Sequence, residues 1–310
     1  MKLSVMSLQE VDYIWMDGKF VKWKDATVHV MTHCLHYGTG VFEGIRGYGT
    51  KSNLYVFRLE EHLNRLFNSA KLYFMDINWS KRDLEAAIIE LLRKNQIRET
   101  CYIRPIAYRG YGVFGLNPFG APVQVAVVAF PFGKYLEAEE GASCCITSWR
   151  RIATDALPAE SKACGNYINS VLAKMEAVKN GFDEAIFLDS LGFVSEGSGE
   201  NLFIVKNGTI YTTPVYASIL AGITRDTAIQ LSREMGMEVI ERPITRTELY
   251  CSDEVFFTGT AAEVTPIVKI DHRTIGNGKI GSVSLKLRER FKAIVNAEDK
   301  KHRDWLTAVY

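Results

Sequence analysis

One lysine of the chain is surrounded by small residues, in the run Ser161-Lys162-Ala163-Cys164-Gly165. Most of the other lysines have polar neighbours, as is usual on a solvated surface. An amine held against closely packed backbone loses part of its hydration, which favours the uncharged, nucleophilic form that makes Schiff bases. For any single lysine a solvated surface position remains the more common explanation. Lys162 is therefore a candidate nucleophile.

Two other segments have the composition of an anion-binding site. Gly222-Ile223-Thr224 lies at the start of a predicted helix, where free backbone N–H groups and the helix dipole favour negative charge. Thr258–Glu263 follows an apolar strand, and its small residues leave N–H groups uncovered. A plain threonine cap and a close-packed turn are the more common explanations. These residues alone indicate a candidate site for a ligand that carries phosphate.

Strands and helices must hold these candidates in place. Asp17-Gly18-Lys19 separates two apolar runs and predicts a hairpin, because an Asp-Gly turn needs positive φ. From Glu60 the apolar residues recur with helical spacing, and Ser80 with Asp83 predicts the N-cap of a second helix. The further predicted strands are Val41–Tyr48, Leu54–Arg58, Cys101–Tyr108, Val123–Phe130, Glu184–Asp189, Asn201–Lys206, Glu254–Thr258 and Val264–Ile270.

Three helices are predicted in the second half, at Asn166–Lys179, Ile223–Met235 and Ser284–Val295. The first of them is expected to turn its large apolar residues toward the core. These residues are Ile168, Val171, Leu172, Met175 and Val178. Strands and helices are mixed without strict alternation, which favours an α+β fold of two lobes over a doubly wound nucleotide-binding fold.

Composition narrows the functional classes. With 310 residues, two domains of roughly 150 residues are expected. The 37 basic and 36 acidic residues nearly cancel, which argues against nucleic acid and anionic membranes as partners. Six cysteines without a C-x-x-C pair, and no apolar leader at the start, favour reduced thiols in the cytoplasm. The apolar run Val123–Phe130 is too short for a membrane helix.

Glu196 begins a longer pattern. Its near neighbours, two glycines and Glu200 ahead of a strand, are most often a tight turn with solvated carboxylates. The pattern continues in three parts, Glu196-x4-Asn201-Leu202-Phe203, then Ile210-x-Thr212, then Leu220-x-Gly222-Ile223-x-Arg225. This spacing resembles the signature of the class IV aminotransferases throughout. Further runs resemble branched-chain amino acid aminotransferases in particular, namely His33-x-Leu35-His36-Tyr37-Gly38-x2-Val41-Phe42-Glu43-Gly44-Ile45-Arg46, Tyr102-Ile103-Arg104-Pro105 and Gly259-Thr260-Ala261-Ala262-Glu263.

The resemblance implies pyridoxal 5′-phosphate (PLP) as cofactor and assigns residues to it. Lys162 would form the internal aldimine and move the proton from the substrate Cα. Glu196 would pair with the pyridine nitrogen, and Tyr167 would hydrogen-bond the phenolate oxygen. The other implied cofactor contacts, most of them to the phosphate, are Arg65, Leu220, Gly222, Ile223, Thr224 and Thr260. Helical periodicity by itself makes Arg65 an exposed charge.

The implied substrate pocket must accept both an apolar side chain and the side chain of glutamate. Aromatic residues, with Tyr167 among them, would form the apolar wall, and Arg104 with Tyr37 would meet the distal carboxylate. The α-carboxylate would rest on the N–H groups of Ala261 and Ala262, helped by Tyr102. The implied substrate residues are Tyr37, Phe42, Gly44, Tyr102, Arg104, Leu116, Phe132, Tyr135, Ala261 and Ala262. Three positions depart from the usual family residues, namely Phe132 for Trp, Cys164 for Gly and Ala221 for Pro.

The implied reaction moves the amino group of L-leucine, L-isoleucine or L-valine to 2-oxoglutarate, giving branched-chain 2-oxo acids and L-glutamate. Alternatives of the same fold are a D-amino acid or (R)-amine aminotransferase, or an aminodeoxychorismate lyase. A PLP-binding protein without turnover is an alternative from another class. A nicotinamide oxidoreductase is disfavoured, because no G-x-G-x-x-G follows an early strand.

The resemblance also implies a two-domain fold type IV architecture like that of D-amino acid aminotransferase, a small α/β lobe and a larger lobe with a barrel-like sheet. The expected domains are 1–132 and 142–310, joined by 133–141, with the active site in the cleft between them. A homodimer or a dimer-based higher oligomer is expected, with Leu116 contributed by the neighbouring subunit. No metal site is expected, since His33 and His36 lack further ligands and are predicted to be hydrogen-bonded framework residues.

Overall fold

The computed structural model describes residues 8–133 and 140–310 of the chain. Contacts divide them into two compact units, the first formed by 8–133 with 295–310 and the second by 140–294. Each unit has its own sheet. Tyr135 and most of the expected connection 133–141 lie outside the described residues.

The first unit is built on an antiparallel sheet. Its elements before residue 133 are β1 (Tyr13–Met16), β2 (Lys19–Lys22), α1 (His33–Tyr37), β3 (Gly40–Phe42), β4 (Ile45–Gly49), β5 (Leu54–Phe57), α2 (Leu59–Leu72), α3 (Lys81–Lys94), β6 (Cys101–Arg109) and β7 (Val123–Pro131). The strand order is β5-β4-β6-β7-β1-β2, and β3 also pairs with β6. Helix α2 packs on α3 and β3, and α3 packs on β1 and β7, so that the core lies between helices and sheet.

Local sequence chemistry explains two of these elements. Asp17 and Gly18 have φ values of 44° and 85°, as the predicted turn between β1 and β2 requires. At the start of α3, the Ser80 hydroxyl accepts a hydrogen bond from Asp83 N, and the Asp83 carboxylate accepts one from Ser80 N. The hairpin and the N-cap at Ser80 are both confirmed, and the two bonds together form a capping box.

The predicted strand Val41–Tyr48 is interrupted, which differs from the expectation. It forms β3 and β4, separated by Glu43 and Gly44. Glu43 keeps its backbone on the sheet by donating its N–H to Pro105 O, while its fully buried side chain bonds to residues of α2. A buried charge needs hydrogen-bond partners, and Glu43 finds them on a helix. The strand is interrupted at this residue.

The second unit contains a mixed sheet. Its elements are β8 (Ala142–Arg150), α4 (Tyr167–Lys179), β9 (Glu184–Leu188), β10 (Val194–Gly197), β11 (Asn201–Lys206), β12 (Thr209–Thr212), α5 (Ile223–Glu234), β13 (Val239–Glu241), α6 (Arg246–Tyr250), β14 (Glu254–Gly259), β15 (Glu263–Ile270), β16 (Arg273–Thr274) and α7 (Ser282–Val295). The strand order is β10-β9-β8-β15-β14-β11-β12-β13, with β16 beside β15. No helix within 8–133 or 140–310 is long and apolar enough to cross a membrane.

The inward face predicted for α4 is wrong for three of its five residues, and the other two, Leu172 and Val178, are partly buried. Ile168, Val171 and Met175 are exposed by 65%, 50% and 57%, whereas Ser170, Ala173 and Ala177 are buried. Helix α4 lies on β8 and β9, and small side chains on its inner face allow a close approach to that sheet. Apolar periodicity alone could not show which of the two faces meets the strands.

The end of the chain belongs to the first unit, which corrects the expected domain range 142–310. After α7 the chain forms β17 (Leu306–Ala308), which pairs antiparallel with β5. Arg58 N also donates to Trp305 O at 2.7 Å. Without β17, β5 would present an open edge with unpaired backbone groups, so this pairing protects the sheet.

Candidate active site

Lys162 and Tyr167 are brought together in the second unit. A tight turn, Cys164–Asn166, leads directly into α4, and its small residues let Lys162 Nζ donate to the Tyr167 hydroxyl at 2.6 Å. On the two sides of the lysine, Ser161 and Ala163 are 2% exposed, so the backbone here is closely packed. This arrangement supports the prediction that Lys162 is a positioned amine and not a freely solvated one.

Glu196 is buried at the end of β10 and is held by three donors. Its Oε1 accepts from Arg151 Nε at 2.9 Å, and its Oε2 accepts from Asn201 Nδ2 and from Leu220 N, both at 3.1 Å. Burial raises the pKa of Glu196, although the charge of Arg151, the Leu220 N–H group and Lys162 oppose that rise. The site therefore presents a carboxyl group of fixed orientation, suited to a cationic or protonated nitrogen.

The Leu220–Thr224 segment forms the start of α5 as predicted. Gly222 is the N-cap, and no side chain caps it, which excludes the alternative of a plain Thr224 cap. A Cβ at Gly222 would lie 2.0 Å from Asn201 Oδ1, so glycine is required by this close approach. Asn201 in turn donates to Leu220 O at 2.8 Å. The same asparagine therefore links the helix start to Glu196.

Thr260, Ala261 and Ala262 form the turn between β14 and β15. The last backbone pair before the turn is Gly259 with Glu263, whose φ is 54°. The Thr265 hydroxyl donates a hydrogen bond to Ala262 O at 2.6 Å and so ties the turn to β15. The turn is thus made of small residues, as the sequence predicts.

Several implied substrate residues meet in the first unit. Tyr102 and Arg104 are two positions apart in β6, so their side chains lie on the same face of the sheet. There Arg104 donates a hydrogen bond to the Tyr102 hydroxyl at 2.9 Å. The guanidinium carbon lies 4.6 Å from the centre of the Phe42 ring, and the rings of Tyr102 and Phe132 are 5.2 Å apart. Arg104 Nε is buried and has no hydrogen-bond partner among the described residues. The cluster is an aromatic wall with one cationic group that can accept an anion.

Gly44 is needed by the same cluster. A Cβ at this position would lie 2.0 Å from the Tyr102 hydroxyl oxygen, far inside van der Waals contact. Because β3 and β4 both pair with β6, the break between them brings Gly44 directly over Tyr102. Close backbone approach therefore explains the glycine.

Arg65 is not the exposed charge that periodicity predicts. Its Nε and Nη2 donate to the carboxylate of Glu43 at 2.6 and 2.9 Å, and Glu43 also contacts His62 Nδ1 at 2.8 Å. Burial alone raises the pKa of Glu43, but the charge and hydrogen bonds of Arg65 and His62 outweigh it and hold that pKa well below its usual range. Glu43 therefore stays ionised and fixes the Arg65 guanidinium.

The remaining implied residues are placed as follows. Tyr37 is half-buried, and its ring lies 4.6 Å from that of His33. His33 contacts Thr39 Oγ1 at 2.7 Å and Gly115 O at 2.9 Å, and His36 contacts Val30 O at 2.9 Å, which confirms both histidines as framework residues. Leu116 is 87% exposed.

Four residues that contact the site residues were not predicted to do so. Glu43 lies in the run from His33 to Arg46 and Asn201 in the pattern that begins at Glu196, so family spacing indicates that polar residues are needed at both positions. Arg151 and His62 had no such signal. Arg151 follows an apolar strand and His62 lies in a helix, and only the tertiary contacts join them to Glu196 and Glu43.

Glu200 is a second buried acid of this region. It is 4% exposed, accepts from Gly199 N at 3.0 Å, and is close to Glu184, which is fully buried and paired with Lys174 at 2.7 Å. Burial first, and the charge of Glu184 second, raise the pKa of Glu200 to about 8. We therefore expect Glu200 to keep its proton to a higher pH in the folded protein than an ordinary glutamate does.

This shift predicts a pH dependence of stability. In the unfolded chain a glutamate titrates near 4.3, so between about pH 4.5 and 8 the unfolded state loses a proton that folded Glu200 retains. The contribution of Glu200 to the free energy of unfolding is therefore complete at low pH and falls as pH rises, by up to about 1.4 kcal/mol per pH unit. Above about pH 8 it changes no further.

Glu200→Gln removes this titration. Urea unfolding at several pH values should show the variant gaining stability relative to the wild type as pH rises, with the gain levelling off above about pH 8. The exposed Glu289→Gln on α7 is the control and should follow the wild-type profile. Parallel profiles for Glu200→Gln and the wild type would contradict the assignment.

Comparison with known proteins agrees with this geometry. The family model described as amino-transferase class IV matches residues 40–270. The branched-chain-amino-acid aminotransferase of Escherichia coli (strain K12) is 44% identical, covering 98% of this chain and 99% of that protein. Two crystal structures, each with a TM-score of 0.94 and covering 97% of this chain, are similar. They are the branched-chain aminotransferase from Thermoproteus uzoniensis with norvaline (45% identity, all of that chain) and the T.th. enzyme complexed with N-(5′-phosphopyridoxyl)-L-glutamate (46%, 99% of that chain).

These matches extend over nearly the whole chain, well beyond the signature residues. They confirm the resemblance that the sequence pattern predicts, and the structural matches confirm fold type IV. The buried Glu196, the paired Lys162 and Tyr167, and the uncapped start of α5 all fall within the matched residues 40–270. The chain belongs to the class IV aminotransferase family.

Proposed function

We propose that this protein is a PLP-dependent transaminase that moves the amino group of L-leucine, L-isoleucine or L-valine to 2-oxoglutarate. The main observation behind this proposal is a pair of hydrogen bonds, from Lys162 to Tyr167 and from Arg151 to Glu196. They occur in a chain that is 44% identical to a named branched-chain enzyme. A crystal structure with a phosphopyridoxyl-glutamate adduct is among its close structural relatives.

The described residues fit PLP by the chemistry of their donors. The Lys162 amine suits the aldehyde carbon of PLP, and the Tyr167 hydroxyl that holds it suits the ring oxygen. The buried carboxyl group of Glu196 suits the ring nitrogen. The start of α5, with no side-chain cap at Gly222, suits a phosphate. Thr260 and Arg65 remain proposed phosphate ligands, and Glu43 is what fixes the guanidinium of Arg65.

PLP, when bound, supplies a conjugated ring that takes up the electron pair left behind when a proton leaves the substrate Cα. Lys162 Nζ is the proposed base for that proton, and the Tyr167 hydroxyl orients it. Glu196 holds a proton at the ring nitrogen, because a buried carboxylate favours a cationic partner. Asn201 and Leu220 N keep Glu196 from turning away.

The substrate residues of the first unit suit two kinds of side chain. The rings of Phe42, Tyr102 and Phe132 favour a branched apolar side chain, while Arg104 offers a guanidinium to the distal carboxylate of glutamate. We propose that Tyr37 helps Arg104, and that Ala261 and Ala262 N–H groups bind the α-carboxylate. Tyr135 stays a proposed pocket residue.

A coupled assay with 2-oxoglutarate tests the reaction. Turnover is expected with L-leucine, L-isoleucine and L-valine, with glutamate as product. Turnover only with D-amino acids or (R)-amines would favour the related enzymes of the same fold. Bound PLP without any turnover would overturn the enzymatic assignment.

Gly44→Ala is expected to lower kcat/KM for leucine by about 10- to 100-fold. The new methyl group would displace the Tyr102 hydroxyl and with it the contact to Arg104, and a shift of about 1 Å in such a site can cost 10²-fold. The test is a double-mutant cycle with Tyr102→Phe, which removes the nearest atom. The cost of Gly44→Ala should be smaller in the Tyr102→Phe background, and an unchanged cost would contradict this explanation.

We further propose a homodimer that works in the cytoplasm. Leu116, Phe114 and Phe119 are exposed by 87%, 77% and 63% in the loop between β6 and β7, which suits a segment that is covered by a second subunit. No disulfide joins any of the six cysteines, all of which lie in the described part of the chain, and this suits a reducing compartment. Sedimentation of wild type and Leu116→Asp tests the dimer, and a wild-type monomer would exclude it.

A further inference from the structure

Arg151 is a buried cation next to a buried acid. It is 7% exposed, and its Nε donates to Glu196 Oε1 at 2.9 Å. The charge of Arg151 is the largest influence that opposes the rise of the Glu196 pKa on burial, ahead of Lys162. Glu200 is a second buried acid near Glu196, and the charge of Glu196 is one of the influences that raise the pKa of Glu200. Whether Glu196 carries a charge therefore depends on Arg151 more than on any other neighbour.

The orientation of Arg151 is fixed from several sides. Its backbone N–H donates to Leu188 O at 2.9 Å, and its Nη1 donates to Asn169 Oδ1 at 3.1 Å. The ring of Phe187, fully buried in β9, lies 5.5 Å from the guanidinium carbon. An arginine clamped in this way presents Nε to one oxygen of Glu196 and leaves the other oxygen to Asn201 and Leu220.

We propose that Arg151 is the positioning residue of Glu196: its guanidinium keeps that carboxyl group charged and fixed in orientation. Asn169 supports this role by holding Nη1. The inference rests on the proposed function, in which Glu196 pairs with the pyridine nitrogen of PLP. A charged Glu196 strengthens that pairing, whereas a neutral one offers only a hydrogen bond.

Infrared difference spectra of the full-length protein without added PLP test whether Arg151 keeps Glu196 charged. Protonated and ionised carboxyl groups absorb differently, and Glu196→Gln identifies the Glu196 band. In Arg151→Met the titration midpoint of that band should rise by at least one pH unit, about a tenfold change in its protonation equilibrium. Arg151→Lys, which retains a cation, should restore most of the midpoint. An unchanged midpoint in Arg151→Met overturns the inference.

Two further variants guard against a trivial loss of structure. Arg242→Met breaks another arginine–glutamate pair of the same unit, with Glu248, and should leave the Glu196 midpoint at the wild-type value. If Arg151→Met does not fold, Asn169→Ala carries the test, because it loosens Arg151 without removing its charge. A smaller rise of the midpoint is then expected, and no rise counts against the proposal.

The affinity for PLP, measured as a function of pH, tests whether a charged Glu196 strengthens the pairing with the cofactor. Arg151→Met should bind PLP about tenfold more weakly than wild type near neutral pH, and the difference should narrow as the pH rises and Glu196 ionises again. A constant ratio would indicate a merely structural role and overturn the inference. If the wild type itself binds no PLP, the proposed function fails, while the infrared titration still decides whether Arg151 controls Glu196.

Discussion

Lys162→Ala is expected to abolish transamination, with kcat falling by about 10⁴-fold or more. The substitution removes both the nucleophilic amine and the proposed base, and a positioned acid-base group alone contributes up to about 10⁴-fold. Borohydride should fix PLP irreversibly to the wild type and not to the variant. The measurements are the absorbance spectrum before and after reduction and the rate of the leucine half-reaction.

The matched control is Lys179→Ala, an exposed lysine at the end of the same helix that Tyr167 begins. It should keep both the reducible absorbance and the activity. Reduction of PLP onto the Lys162→Ala protein would show that another lysine is the attachment site. A wild type that stays colourless with PLP would remove the basis of the whole proposal.

Arg104→Met should separate the two half-reactions. We expect kcat/KM for glutamate to fall by about 10²-fold or more, since loss of one partner of a buried charge pair costs about 2–5 kcal/mol. Leucine has no distal carboxylate, so its half-reaction should fall by less than about tenfold. The buried Nε without a partner and the adjacent Tyr102 hydroxyl are the reasons for this expectation. Single-turnover kinetics with each amino acid measure the two effects separately.

Two variants sharpen this experiment. Arg104→Lys retains the charge but not the planar fork, so an intermediate loss for glutamate is expected. Arg98→Met removes an exposed guanidinium from the ring of Tyr310 in the same unit and should change neither half-reaction. Equal losses for glutamate and leucine in Arg104→Met would contradict the assignment of Arg104 to the distal carboxylate.

Elements with a local cause were predictable from sequence. The turn at Asp17-Gly18 and the N-cap of α3 at Ser80 each depend on residues three positions apart or fewer, and both formed as predicted. The three-part pattern from Glu196 to Arg225 identified the family, and the match over residues 40–270 confirms it. The small-residue turn before Glu263 was also placed correctly.

Elements that depend on distant partners were not predictable. The apolar period of α4 suits either face, and only the close approach to β8 and β9 decides that alanines face inward. The last strand, β17, carries no signal that it pairs with β5 about 250 positions earlier. Arg65 has the spacing of an exposed residue, and its pairing with the buried Glu43, 22 positions earlier, shows otherwise.

The sequence by itself determined which residue types are present for the chemistry: an amine among small residues, a patterned acid, and a glycine at the mouth of a helix. These features depend on side-chain chemistry and short-range backbone geometry, which local spacing encodes. Only the tertiary structure decided the charge state and orientation of those groups. Arg151 bonds to Glu196, Glu43 bonds to Arg65, and burial together with the charge of Glu184 raises the pKa of Glu200, because a buried group depends on neighbours that are distant in sequence.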